Sequence, residues 1–325
     1  MNCLRFLLCL LCLASLPRLA LPQDADLAAL HSELANASTP EAQLTGCINV
    51  GQWHEVHYTD SSLHYARLAQ RIARKLGTDD ARARALFATG TAHEYSYNLD
   101  SAMYYYQLAK PLGPLVQLPI FYPQLLAHIG HVYTYRAQHE QALTAFLNSI
   151  QWMEQHTLDS GMLAANHTNI GGVYYELYLY DNALQHLNTA EAIYTALGIS
   201  SGMADVLFYR AGIHSAEGRF EEALADFQQN QQLDVAEGNK QAIAYGYANI
   251  ALHFLTKPDF DSAWHYLQLG RVHADSLGDP LITSTGARPW RNTIWMPMNF
   301  HRQWPRCKPS CTTAAYRWST TTALS

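Results

Sequence analysis

Charge is scarce in this chain, and cysteine is scarcer. Only 15% of its 325 residues are Asp, Glu, Lys or Arg, and six are Cys. Six cysteines in that length are too few for a disulfide scaffold. Three of them, Cys3, Cys9 and Cys12, crowd the first dozen residues, and Cys307 and Cys311 lie near the C-terminus. Cys47 alone remains in the body, where it reads as a small buried apolar residue. Eighteen Gly and thirteen Pro are too few for a collagenous or low-complexity chain. The 49% hydrophobic content excludes a mostly disordered one. A Walker loop and a GxGxxG turn are both missing. No enzyme activity is expected, and neither a catalytic residue, a cofactor nor a metal site is assigned.

Acidic residues are absent from 281–325, which hold six basic ones: Arg288, Arg291, Arg302, Arg306, Lys308 and Arg317. The formal net charge of −6 therefore conceals a body with 15 basic and 27 acidic side chains. Nucleic-acid binding rests on basic residues meeting phosphate, so this body is a poor candidate for it.

Long apolar runs are also lacking, except at the start. Arg5 precedes an apolar run from Phe6 to Leu16 that Pro17 breaks. That is too short to span a bilayer and has the length of a signal-peptide core. Residues 1–22 read as a signal peptide and 23–39 as a lead-in. Export to the periplasm or the medium is expected, and no membrane span is expected beyond the signal peptide.

What is present is a period of 40 residues. In the segment from Asn169 to Ala190, Gly171, Tyr174, Ala183, Leu187 and Ala190 define five sites. One period earlier stand Gly130, Tyr133, Ala142, Phe146 and Ser149, and before them Gly90, His93, Ala102, Tyr106 and Ala109. Later copies read Ala211, His214, Ala223, Phe227, Asn230, then Ala251, Phe254, Ala263, Leu267, Gly270. A weaker first copy keeps Ser62, Ala66 and Ala69. Small residues at the first and third sites let two antiparallel helices, A and B, approach closely. Bulky residues three and sixteen positions after the first site fill the space between them. Gly77, Gly198, Gly238 and Gly278 recur at the phase of a glycine closing helix B. Thr78, Ser200 and Asp279 then offer N-cap oxygens to the next helix A.

This pattern resembles the tetratricopeptide repeat family over roughly residues 40–280, as about six helix pairs. The period of 40 is longer than that family's usual one. The resemblance implies an all-α fold, a right-handed superhelical solenoid of antiparallel helix pairs. It also implies that helix A lines a concave, partner-binding groove. By register that groove includes Arg84, Phe87, Thr91, Glu94, His131, Tyr135, Thr168, Tyr175, Asp205, Phe208 and Tyr245. A clamp for a C-terminal carboxylate is not expected, because Asn169 and Asn249 lack its Lys/Arg partners.

Sixteen histidines raise a metal-binding reading. His128 and His131 are three apart on one helix, as are His54 and His57. A closed site needs a third and fourth ligand, and neither an HExxH nor an aspartate cluster accompanies these pairs. His93 and His214 occupy the aromatic packing site.

After residue 280 the repeat stops. Residues 281–325 carry four of the seven tryptophans and no helical period. One reading is a basic interaction tail; the other is a shifted reading frame that replaced a seventh repeat. Long exported arrays of this type resemble the periplasmic sensor regions of bacterial membrane signalling proteins, of the diguanylate cyclase or histidine kinase kind. The expected function is a non-catalytic scaffold binding a protein or peptide, as the sensor part of such a protein. A freestanding exported adaptor is the alternative, and a metal-binding protein a weaker third.

Overall fold

A computed structural model describes residues 27–275 except 56–58, 157–159, 201, 237, 239 and 258. The expected signal peptide, Gly278, Asp279 and the tail lie outside the described residues. So does His57 of the His54/His57 pair. The described chain is all-α, with helix pairs in series, and none of its helices is long and apolar enough to cross a membrane. It divides into two compact units, with the break between residues 237 and 238.

The first unit opens with α1 (Leu27–Asn36), which forms within the lead-in and packs on α2 (Pro40–Glu55). The pairs are α2 with α3 (Thr59–Leu76), α4 (Asp79–Tyr95) with α5 (Leu99–Ala109), and α6 (Phe121–Tyr135) with α7 (His139–Gln155). They continue with α8 (Ser160–Glu176) and α9 (Tyr180–Leu197), then α10 (Met203–Ala216) and α11 (Phe220–Ala236). The second unit is one pair, α12 (Lys240–Thr256) on α13 (Phe260–Asp275). In the first unit A helices also touch their successors: α2 meets α4, α4 meets α6, and α8 meets α10.

Each pair closes at its small residue. A Cβ on Gly90 would lie 2.3 Å from the Tyr106 ring, one on Gly130 2.6 Å from Phe146, and one on Gly171 2.8 Å from Leu187. Opposite these glycines Tyr106, Phe146 and Leu187 are 0–1% exposed. Where the first site is Ala211, its partner Phe227 remains 8% exposed. A methyl group at this site therefore goes with a less completely sunk partner. Ala102, Ala142, Ala183, Ala211, Ala223, Ala251 and Ala263 are all buried. Tyr133 and Tyr174 pack, partly buried, against the core formed by Phe146, Ile150 and Ile170.

The two kinds of turn differ. Gly77, Gly198 and Gly238 end their B helices at φ of +71°, +66° and +67°. The A-to-B turns repeat the left-handed conformation at Tyr97, Ala137, Tyr178 and Gly218, with φ of 56°, 54°, 60° and 76°. There the following N–H reaches back five residues: Asn98 to His93 O at 2.9 Å, Gln138 to Tyr133 O at 2.8 Å, Leu179 to Tyr174 O at 2.9 Å. This is the Schellman closure of helix A. Thr78 caps α4 by accepting from Ala81 N at 3.2 Å. Ser200 does not act as expected. The N-cap of α10 is Gly202, without a side-chain bond, and Ser200 contributes only its carbonyl to Met203 N at 3.0 Å. The chain takes two further residues to leave the glycine turn, so the cap falls on Gly202.

The proline-rich join after α5 is a 3-10 turn, Lys110–Leu115, with Pro111 near its start. Val116 and Phe121 turn back into the core beside Phe87 and Tyr106. The 40-residue phase survives because this join replaces the last turn of a B helix.

Candidate functional site

The A-helix register places the expected groove residues in three settings. Phe87 is a core residue, 5.9 Å from the Tyr106 ring and 5.4 Å from Phe121. Thr91, Glu94, His131, Thr168 and Tyr175 are buried as well. Thr168 donates to Ala164 O at 3.0 Å, and Tyr175 covers Gly212 with its ring 5.8 Å from Tyr209. Arg84, Tyr135, Asp205, Phe208 and Tyr245 are half-buried and keep contact with solvent. Arg84 donates to Thr45 Oγ1 at 2.9 Å, Tyr135 lies against Tyr97, and Phe208 against Tyr209. Tyr245 belongs to the second unit.

Three of the buried residues come together. Thr91 and Glu94 are three apart on α4 and face the same side. Consecutive A helices are in contact, so that side meets Glu55 at the end of α2 and His128 and His131 on α6. Tyr106 of α5 enters from behind. The Tyr106 hydroxyl donates to Glu94 Oε2 at 2.5 Å, and His128 Nδ1 lies 3.0 Å from the same oxygen. His131 Nδ1 is 3.7 Å from Glu94 Oε1, beyond a hydrogen bond. Asn169 of α8 approaches His131 Nε2 at 3.0 Å. Thr91 Oγ1 is 2.5 Å from Glu55 Oε1 and 3.1 Å from Ala88 O.

Charge in this cluster follows from burial and neighbours. Burial alone pushes the Glu94 carboxyl up, but His128 and His131 beside it outweigh that and hold it at about 2. Burial likewise opposes a charge on His128, and Glu94 overcomes it, so the imidazole sits above its ordinary value. His131, further from the carboxylate, is lowered by burial. Burial raises Glu55 to about 8, so it is neutral at pH 7. The hydrogen bond that Thr91 Oγ1 donates to Glu55 Oε1 opposes this rise without cancelling it. Tyr106 is raised well above ordinary phenols by burial and by Glu94. Glu94 Oε1 and His131 Nδ1 are buried with no hydrogen-bond partner.

Two other polar groupings occupy the first unit. Arg210 takes an aliphatic position of the repeat and forks onto Asp226 at 3.0 and 2.8 Å, with Glu191 at 2.7 Å. His214 joins it, 3.1 Å from Asp226, whereas His93 stacks on Tyr105 at 5.5 Å. His167 and His186 oppose their Nδ1 atoms at 2.9 Å, and burial with that neighbour lowers His167 to about 4. The run Gly198–Gly202 spells G-x-S-x-G, but it joins two helices, and that motif works on a strand-to-helix turn.

No protein-family model matches the chain, and no curated protein does. Solved structures of the same fold do. A Rap protein complexed with Competence and Sporulation Factor is 17% identical, with TM-score 0.63, covering 85% of this chain and 77% of its own. NprR in complex with its cognate peptide NprX is 12% identical, with TM-score 0.59 and 92% of both chains covered. The apo form of NprR from B. thuringiensis is 13% identical, with TM-score 0.57, covering 76% of this chain and 69% of its own. At these identities the likeness extends to the fold, a tetratricopeptide-type array of helix pairs.

Proposed function

We propose that this chain is a non-catalytic scaffold that binds a peptide or protein segment, and that it is the exported sensory part of a bacterial signalling protein. The observation that supports the binding role is the A-helix layer of the first unit. A helices touch across pairs, α2 with α4, α4 with α6 and α8 with α10, and carry half-buried Arg84 and Asp205 at one register, with half-buried Tyr135 and Phe208 elsewhere along the same helical stripe. Tyr and Phe rings give large contact area with few torsions to fix. That two solved structures of this fold hold Competence and Sporulation Factor and NprX is consistent with it. The apolar start, Phe6–Leu16, supports export. A ligand that prefers one arrangement of the pairs shifts the population toward it, and that shift is the signal.

The test is calorimetry of the full chain against peptides recovered from it by affinity selection and resynthesised. Saturable one-to-one binding, weakened at least about tenfold by Tyr135→Ala with Phe208→Ala, is expected, since aromatic anchors carry most interface energy. Binding indifferent to both changes overturns the assignment of this layer. An alkaline phosphatase reporter fused after residue 30 should be active only if the leader exports it.

A further inference from the structure

The cluster of Glu94, His128 and His131 contains two polar atoms that the fold leaves unsatisfied. Buried polar atoms are normally paired, and an orphaned one needs a reason. Here both orphans, Glu94 Oε1 and His131 Nδ1, face each other at 3.7 Å. One donor atom from each of Glu94, His128 and His131 lies within 4.8 Å of the others, and all three residues are buried. Two imidazoles three apart on α6 share a face, and a carboxylate from α4 opposes them.

We infer that these three residues bind one divalent first-row transition-metal ion, Zn²⁺ foremost, and that the ion ties the helix pair α4–α5 to the pair α6–α7. The donor set supports that class. Imidazole with carboxylate suits Zn²⁺ and its neighbours, whereas Mg²⁺ and Ca²⁺ require oxygen throughout. The spacing supports it too. Metal–ligand bonds of about 2.0–2.1 Å in a tetrahedron set neighbouring donor atoms about 3.3–3.4 Å apart. Glu94 Oε2 lies 3.0 Å from His128 Nδ1 and Glu94 Oε1 lies 3.7 Å from His131 Nδ1, so each imidazole faces its own carboxylate oxygen at close to that spacing and the carboxylate presents both oxygens to the ion. The surroundings supply the outer shell that such ligands need. Tyr106 donates to Glu94 Oε2 and fixes the carboxylate. Asn169 lies 3.0 Å from His131 Nε2. Its amide, turned to present Oδ1, accepts the Nε2 hydrogen and leaves the Nδ1 lone pair directed at Glu94.

The same residues also describe a rival, a buried His128–Glu94 ion pair that needs no metal. Metal titration separates the two. The full chain, untagged and dialysed against chelator, is titrated with Zn²⁺ by calorimetry and with Co²⁺ by visible absorption. One equivalent is expected, with the intense bands of tetrahedral Co²⁺. His131→Gln and Glu94→Gln should each weaken Zn²⁺ at least about tenfold, and His167→Gln should not. Helical circular dichroism is measured on each variant. Zn²⁺ should raise the melting temperature of the wild type and leave that of His131→Gln unchanged, so loss of the site is distinguished from loss of fold. Absence of the Co²⁺ bands, or Zn²⁺ binding that survives both substitutions, overturns the site. Binding lost on His167→Gln instead assigns the metal to the His167–His186 pair and equally overturns it.

Discussion

Gly130 shows what a single hydrogen in place of a methyl group does for this fold. A Cβ there would stand 2.6, 2.7 and 2.8 Å from three atoms of the Phe146 ring, which is 1% exposed. The ring edge is rigid and enclosed, so α6 and α7 must separate to admit the methyl. Overpacking of this kind costs about 1–3 kcal/mol, and the better helix propensity of alanine returns up to about 1 kcal/mol. Gly130→Ala should therefore lower stability by up to about 2 kcal/mol in urea unfolding. Phe146→Leu added to it should recover part of the loss, because Gly171 opposite Leu187 already uses that combination. Additive losses from the two changes would place the strain elsewhere. At this scale the sequence was informative where chemistry is unusual for a helix. A glycine or alanine recurring in phase is visible without coordinates. The meeting of Glu94 with His128 is not, because 34 residues separate them and only the stacking of A helices brings them together. The missing third ligand of the His128/His131 pair lay one repeat away.

Helix ends divide into those that sequence reveals and those that it hides. The B helices α3, α9 and α11 stop at glycines in the left-handed region, where glycine has no Cβ to clash. The A helices stop in the same conformation at Tyr97, Ala137 and Tyr178, and only Gly218 advertises the turn. Non-glycine residues there carry about 1 kcal/mol of strain, which the Schellman bonds and the packing of the pair offset. Nothing in a tyrosine or an alanine signals that conformation, so this turn was illegible. Ala137→Gly is expected to stabilise the chain by about 0.5–1 kcal/mol, read as a higher urea midpoint with an unchanged slope. Ala137 is exposed, so removing its methyl forfeits little packing. A lower midpoint would mean that the turn is held by something other than its backbone conformation.

In the whole molecule, stability is assembled from neighbours rather than gathered around one centre. The core clusters succeed one another along the chain. One joins Leu44 and Cys47 to Ala81 and Ala85, the next Ala83 and Phe87 to Ile129 and Ala145, the next Ala127 and Phe146 to Ile170 and Val173. Each of these takes side chains from one pair and the pair beside it, and among the described residues none of the three reaches from the first pair to the fourth. That is the energetics of a one-dimensional array, in which removing an end leaves the remaining interfaces intact. The unit that ends at residue 237 has its own contacts and its own cores. A chain stopped at Ala236 should accordingly keep its helical circular dichroism and a cooperative thermal transition, shifted by only a few degrees. In a domain with one central core the same deletion abolishes folding. A truncated chain that melts without a transition would show that residues beyond 237 are needed to close the first unit. The cluster around Glu94 lies within the part retained, so the truncated chain should also bind metal as the full one does. Its affinity then measures whether the site depends only on α4, α6 and the helices that touch them.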